Sequence, residues 1–97
     1  FTYGTNGIPI PSDTPFAVNL IDEDFILRQI SLAKEQEPDL ICASMHWGIE
    51  YQLKPNAEQK KLATLLFTNG VDIILGSHPH VLQQYEKHLL LPRKYET

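Results

Sequence analysis

Two hydrophobic periods alternate along this chain. In DEDFILRQISLAKEQEP, residues 22–38, Ile26, Ile30 and Ala33 recur at i, i+4 and i+7, the single apolar stripe of a helix. Asp22 fits its N-cap, and Glu23 and Asp24 suit the positive end of the helix dipole. Pro38 marks its stop. A second stripe, Leu62, Ala63, Leu66 and Phe67, begins after Asn56, which with Gln59 three residues on forms a capping-box pattern. Asn69-Gly70 closes that helix, with Gly70 as the left-handed residue. Around the helices lie short apolar runs bounded by turn signals. DLICASM (39–45) and VDIIL (71–75) are nearly continuous in apolar character and predict strands buried within a sheet. FTY (1–3) reads as the end of a strand and FAVNL (16–20) as a short strand. GTNGIPIPSDTP (4–15) is rich in Gly, Pro, Asn and Asp and predicts a loop, as does HWGIEYQLKP (46–55). Beyond Pro79 the pattern blurs: VLQQYE is compatible with a strand, and HLLLP with a strand or a helix.

Strands alternating with helices predict an α/β fold with mostly parallel strands, linked by right-handed crossovers. In such sheets ligands bind beyond the carboxyl ends of the strands, so that edge is where chemistry is sought. Length and composition then narrow the classes. Ninety-seven residues form one small domain at most, and 42% apolar with 21% charged residues is ordinary globular composition. A net charge of -4 without a Lys/Arg cluster argues against nucleic-acid binding through phosphates and against docking to anionic lipid. The single cysteine, Cys42, cannot form an internal disulfide and reads as a small buried hydrophobe in its strand. No apolar run is long enough to span a bilayer. The chain opens on FTYGTNG, without an initiator Met and within a strand, so it is expected to be a partial domain spanning residues 1–97. A sheet cut partway leaves an exposed edge, and self-association of the fragment is an expectation that follows.

Three histidines stand at the edge the topology selects. His46 follows directly on DLICASM; His78 and His80, in GSHPH, follow directly on VDIIL. Parallel neighbours lie about 4.8 Å apart, which brings loops leaving them within reach of one metal centre. Pro79 is expected to hold its neighbours extended, with His78 and His80 facing one way. Neutral imidazole is the commonest ligand for zinc, iron and manganese. Each feature alone has a plainer reading: His-x-His as a surface loop, and His46 as a core-edge histidine beside Trp47. Their shared position favours a metal site. Glu50 is open to two readings, a carboxylate orienting a ligand imidazole or a solvated side chain, with the second slightly preferred. Asn6 is either an edge residue or part of an Asn-Gly turn. Asp72, early in its strand, is structural, and His88 is a surface residue.

The segments FTYGTNGIP, HWGIEYQLKPNAEQKKLA and NGVDIILGSHPHVLQ, in this order, resemble the bacterial capsule synthesis family, the CapA and PgsA proteins linked to poly-γ-glutamate capsules. That family is related to calcineurin-like metallophosphoesterases, so the resemblance implies part of a four-layer α/β sandwich with a two-metal site at strand ends. It implies that His46 and His78 ligate one divalent transition metal (Mn, Zn or Fe) and His80 the other. The Asp-x-His, Gly-Asp and Asn-His segments that complete such centres are absent here, and so is the YSLGN-like strand expected further on. The resemblance therefore covers about the later half of a domain, residues 1 to about 86, with three of the ligands.

Two functions follow as expectations. One is a metal-dependent hydrolase acting, in the full-length protein, on a phosphoester or related bond, the fragment alone being inactive. The other is a non-catalytic assembly or export factor that binds poly-γ-glutamate or capsule-machinery proteins. The resemblance also implies a membrane-associated address at the extracellular face of the cell envelope. An α/β domain with incidental histidines ranks last.

Overall fold

The computed structural model describes residues 1–5 and 7–87, and the order is a 3-10 turn (Pro15–Ala17), α1 (Glu23–Glu35), β1 (Cys42–His46), α2 (Ala57–Thr68) and β2 (Ile73–Ser77). The two strands pair in parallel, with His46 level with Ser77. Thr2 makes parallel single-residue bridges to both His46 and Leu20, so the strand-like positions run Leu20, Thr2, β1, β2 across the layer. The α/β class with parallel pairing is as expected.

Both helices form where the sequence places them. The Asp22 side chain accepts the Phe25 N–H at 3.0 Å, and α1 ends at Glu35 with Gln36 as its cap and Glu37 at φ 52, just before Pro38. At α2 the capping box is complete: Asn56 Oδ1 accepts the Gln59 N–H and Gln59 Oε1 accepts the Asn56 N–H, both at 2.9 Å. Asn69 caps the other end and Gly70 follows at φ 110, a region costly for any residue with a Cβ. Asp72 is structural as predicted: its carboxylate accepts the Ile41 N–H at 2.9 Å and its own N–H donates to the Ile41 carbonyl at 2.8 Å.

The core is one cluster: Ile26 and Ile30 from α1, Ala43 and Met45 from β1, Leu62 and Leu66 from α2, with Trp47 and Val71. Its position explains a departure from expectation. DLICASM and VDIIL are buried on one face only. Along β1 burial alternates, with Ala43 and Met45 inside and Cys42, Ser44 and His46 exposed. Ile73 and Leu75 of β2 are exposed too. The cause is topological. Leu20 to β1 and β1 to β2 are steps in the same direction across the layer, so two right-handed crossovers put both helices on the same side. Cys42 is therefore an exposed thiol, not a buried hydrophobe.

Two further expectations change. FAVNL is not a strand: Pro15, which locks φ and has no N–H, starts a 3-10 turn, and only Leu20 bridges. VLQQYE is not a strand either; it is tied down through side chains. Gln59, buried in α2, donates from Nε2 to Gln83 Oε1 at 2.9 Å, and Gln83 Nε2 donates to the Gln52 carbonyl at 2.8 Å. This relay links the start of α2, the segment after Pro79 and the HWG loop. HLLLP and His88 lie outside the described residues.

Candidate metal centre

Three chain segments reach one edge of the layer together. The His46 N–H donates to the Phe1 carbonyl at 2.8 Å, the Tyr3 N–H to the His46 carbonyl at 3.0 Å, and the Trp47 N–H to the Ser77 carbonyl at 3.1 Å. The next residues out, Tyr3, Trp47 and His78, thus leave the sheet side by side. By strand alternation Trp47 turns inward, where it is nine-tenths buried and lies against Gly76, while His46 stays outside. The plainer reading of His46 as a core-edge residue does not describe it.

The structure brings the three predicted imidazoles together. The His46 and His78 rings are 4.6 Å apart between centroids, and His78 and His80 are 5.9 Å apart. The means differs from expectation. His78 and His80 are not extended about Pro79; they have φ of 100 and 61, both left-handed. Proline biases the residue before it toward an extended conformation with negative φ, and His78 departs from that bias; His80, after the proline, is not subject to it. In this turned loop the buried Pro79 offers its carbonyl to the Tyr51 N–H, at 2.6 Å, which closes the GSHPH loop onto the HWGIEY loop. Non-glycine residues held in this region cost about 1–3 kcal/mol each, and such conformations concentrate at functional sites.

Ser77 lies between His46 and the strand backbone. Its hydroxyl approaches the Met45 carbonyl at 3.4 Å and His46 Nδ1 at 3.4 Å. The hydroxyl has one proton to give and a carbonyl can only accept. With that proton on the Met45 oxygen the hydroxyl accepts from Nδ1–H; with it on Nδ1 the imidazole is the acceptor, so the His46 tautomer follows the hydroxyl's orientation.

Glu50 belongs with the histidines more closely than expected. Among the described residues, Glu50, His78 and His80 form the group whose ligand-type atoms all lie within 4.8 Å of one another. His80 Nε2 is 3.9 Å from Glu50 Oε1, with both side chains about half exposed. Two imidazoles and a carboxylate suit a divalent zinc, iron or manganese ion, so these three residues fit such a group, while His46 stands outside it with its ring 4.6 Å from that of His78. Asn6 lies outside the described residues. Tyr3 went unnoticed in the sequence: its ring lies parallel to His46 at 5.8 Å and packs against His78 at 4.6 Å. The carboxyl-edge rule that selected His46 also applies to Tyr3, which follows the bridging residue Thr2.

A parallel α/β layer with clustered imidazoles at its carboxyl edge defines a class of candidate metal-binding domain. The profile of the family described as "Bacterial capsule synthesis protein PGA_cap" matches residues 3–95, and the chain belongs to that family. It is 44% identical over 69 residues to the "Capsule biosynthesis protein CapA" of Bacillus anthracis, covering 68% of this chain and 17% of that protein. It is 39% identical over 80 residues to the "PGA biosynthesis protein CapA" of Bacillus subtilis (strain 168), covering 82% of this chain and 20% of that protein. The chain thus spans about a fifth of the length of these curated relatives. No solved structure matches it. No helix among the described residues is long and apolar enough to cross a membrane.

Proposed function

We propose that this chain contributes part of a divalent-metal centre to a capsule biosynthesis protein of the cell envelope, and that the centre hydrolyses a phosphoester or related bond. The observation that carries this reading is the convergence of His46, His78 and His80, from loops at the carboxyl ends of adjacent parallel strands, with neighbouring rings 4.6 and 5.9 Å apart. A bound ion, or a pair of them in the full-length protein, would polarise the scissile oxygen and lower the pKa of a bound water. The chain's own residues do the rest. His46, His78 and His80 hold the site, and the Ser77 hydroxyl lies beside His46 Nδ1. Tyr3 lies against the His46 and His78 rings and limits their rotation. Metal charge would also offset the chain's net charge of -4, which otherwise opposes an anionic substrate.

A second reading is a non-catalytic assembly or export factor that binds poly-γ-glutamate or partner proteins of the capsule machinery. It is favoured by the names of the relatives, which speak of biosynthesis and state no reaction. The two are separated by metal content and turnover in the full-length protein carrying this chain. The hydrolase reading predicts co-purifying transition metal, lost in the double variant His78→Ala with His80→Ala, and hydrolysis of a generic phosphodiester lost with it. A wild-type protein that is metal-free after mild purification, and indifferent to added manganese or zinc, overturns the metal centre. Bound metal without turnover of phosphodiester or polyglutamate selects the assembly reading.

A further inference from the structure

Glu50 sits where two loops are locked to each other. The Tyr51 N–H donates to the Pro79 carbonyl at 2.6 Å, so Glu50 and His80 flank the same interloop hydrogen bond, each beside one of its ends. Tyr51 and His80 are both left-handed, at φ 63 and 61, and their rings are 6.0 Å apart. The clamp fixes the backbone on both sides, and the carboxylate and the imidazole are presented to each other across it.

Distance separates two roles for this carboxylate. An orienting carboxylate must accept a hydrogen bond from a ring N–H, which requires a separation of about 2.7–3.2 Å. Two ligands of one zinc-like ion sit about 2.0–2.2 Å from it, so their mutual distance is limited only to about 4.4 Å or less. The 3.9 Å between Glu50 Oε1 and His80 Nε2 is longer than the hydrogen bond of the first role and within the span of the second. The carboxylate also lies within 4.8 Å of a His78 ring nitrogen, which the first role does not require. The 4.8 Å limit that encloses Glu50, His78 and His80 exceeds the ligand–ligand maximum by only a few tenths of an ångström, a shift that half-exposed side chains make freely.

We propose that Glu50 is a direct metal ligand, forming with His78 and His80 a mixed imidazole–carboxylate site. The proposal rests on the metal-centre reading above and deepens it. A carboxylate oxygen in place of a further imidazole makes the site harder and suits it to manganese or ferrous iron as well as zinc.

The experiment is a Mn2+ titration of the full-length protein, followed by electron paramagnetic resonance, with metal content by mass spectrometry and the visible spectrum of the Co2+ form. Glu50→Gln keeps the shape and removes the charge; it is expected to weaken Mn2+ binding by about a hundredfold, at least the upper end of the loss seen for supporting residues, and to change the Co2+ spectrum. Glu50→Asp, which keeps the charge on a shorter arm, is expected to retain the site with weaker binding. Unchanged thermal melting of both metal-free variants checks that the fold is intact. Wild-type binding with a Glu50→Gln affinity within about tenfold and an unaltered Co2+ spectrum overturns the ligand role while leaving the metal centre standing. A wild-type protein that binds neither Mn2+ nor Co2+ overturns the underlying reading as well.

Discussion

The two faces of the β1–β2 pair carry similar side chains and have opposite fates. On one face Ala43 and Met45 lie under both helices, Met45 fully buried. On the other, Cys42 and Ser44 stand beside Ile73 and Leu75, and Leu75 is 59% exposed. Apolar content does not distinguish them, since Leu and Ile are as apolar as Met. The direction of the crossovers does. A run of hydrophobic residues in a strand states that the strand is meant to be covered; which side is covered within this chain depends on where the connecting helices travel.

Substitutions break or sharpen that contrast in a ranked series. Met45→Ala should have the largest effect, a loss of about 2–5 kcal/mol in urea unfolding, because it opens a cavity beneath both helices. Gly76→Ala comes next. Gly76 pairs with Met45 on the covered face, and a Cβ there would meet Trp47 Nε1 at 2.8 Å. Moving a large ring that is nine-tenths buried should cost about 1–3 kcal/mol, read in the same measurement. Leu75→Gln, on the open face, should change stability by about 0.5 kcal/mol or less and weaken any self-association seen by sedimentation velocity. A loss for Leu75→Gln as large as that for Met45→Ala would show that the open face is covered in solution.

Much of this fold was legible because its signals are local. Asp22 and Asn56 are caps whose partners lie three residues away, and the stripe Leu62, Leu66 repeats within α2. Asp72 followed from its position in the strand. What was not legible depends on contacts distant in sequence. Cys42 looked buried because its neighbours are apolar, yet its face lacks a helix. FAVNL looked extended because Phe and Val favour strands, but the turn that starts at Pro15 runs into it as far as Ala17.

The site divides in the same way. His46, His78 and His80 could be picked from sequence because each follows a strand, and position at a strand end is a local property. Their handedness could not. Extended geometry about Pro79 was the natural expectation, and the left-handed φ values accompany a hydrogen bond to Tyr51, 28 residues earlier in the chain. Glu50 is exposed, as the preferred reading had it; what HWGIEY could not show is that its carboxylate comes within 4.8 Å of His78 and His80 in the next loop.

The glutamine relay behind the site has a direction. From the Asn56 N–H through Gln59 and Gln83 to the Gln52 carbonyl, every donor meets an acceptor. Turning over either amide alone sets like against like at both of its junctions. Turning over both restores the middle junction and spoils the two ends, because a backbone N–H only donates and a carbonyl only accepts. Of four arrangements one is allowed, so the relay works as a two-digit combination with a single valid setting. The loop that carries Glu50 is held by that setting, and a neutral chain of amides fixes it without placing a charge next to the imidazoles.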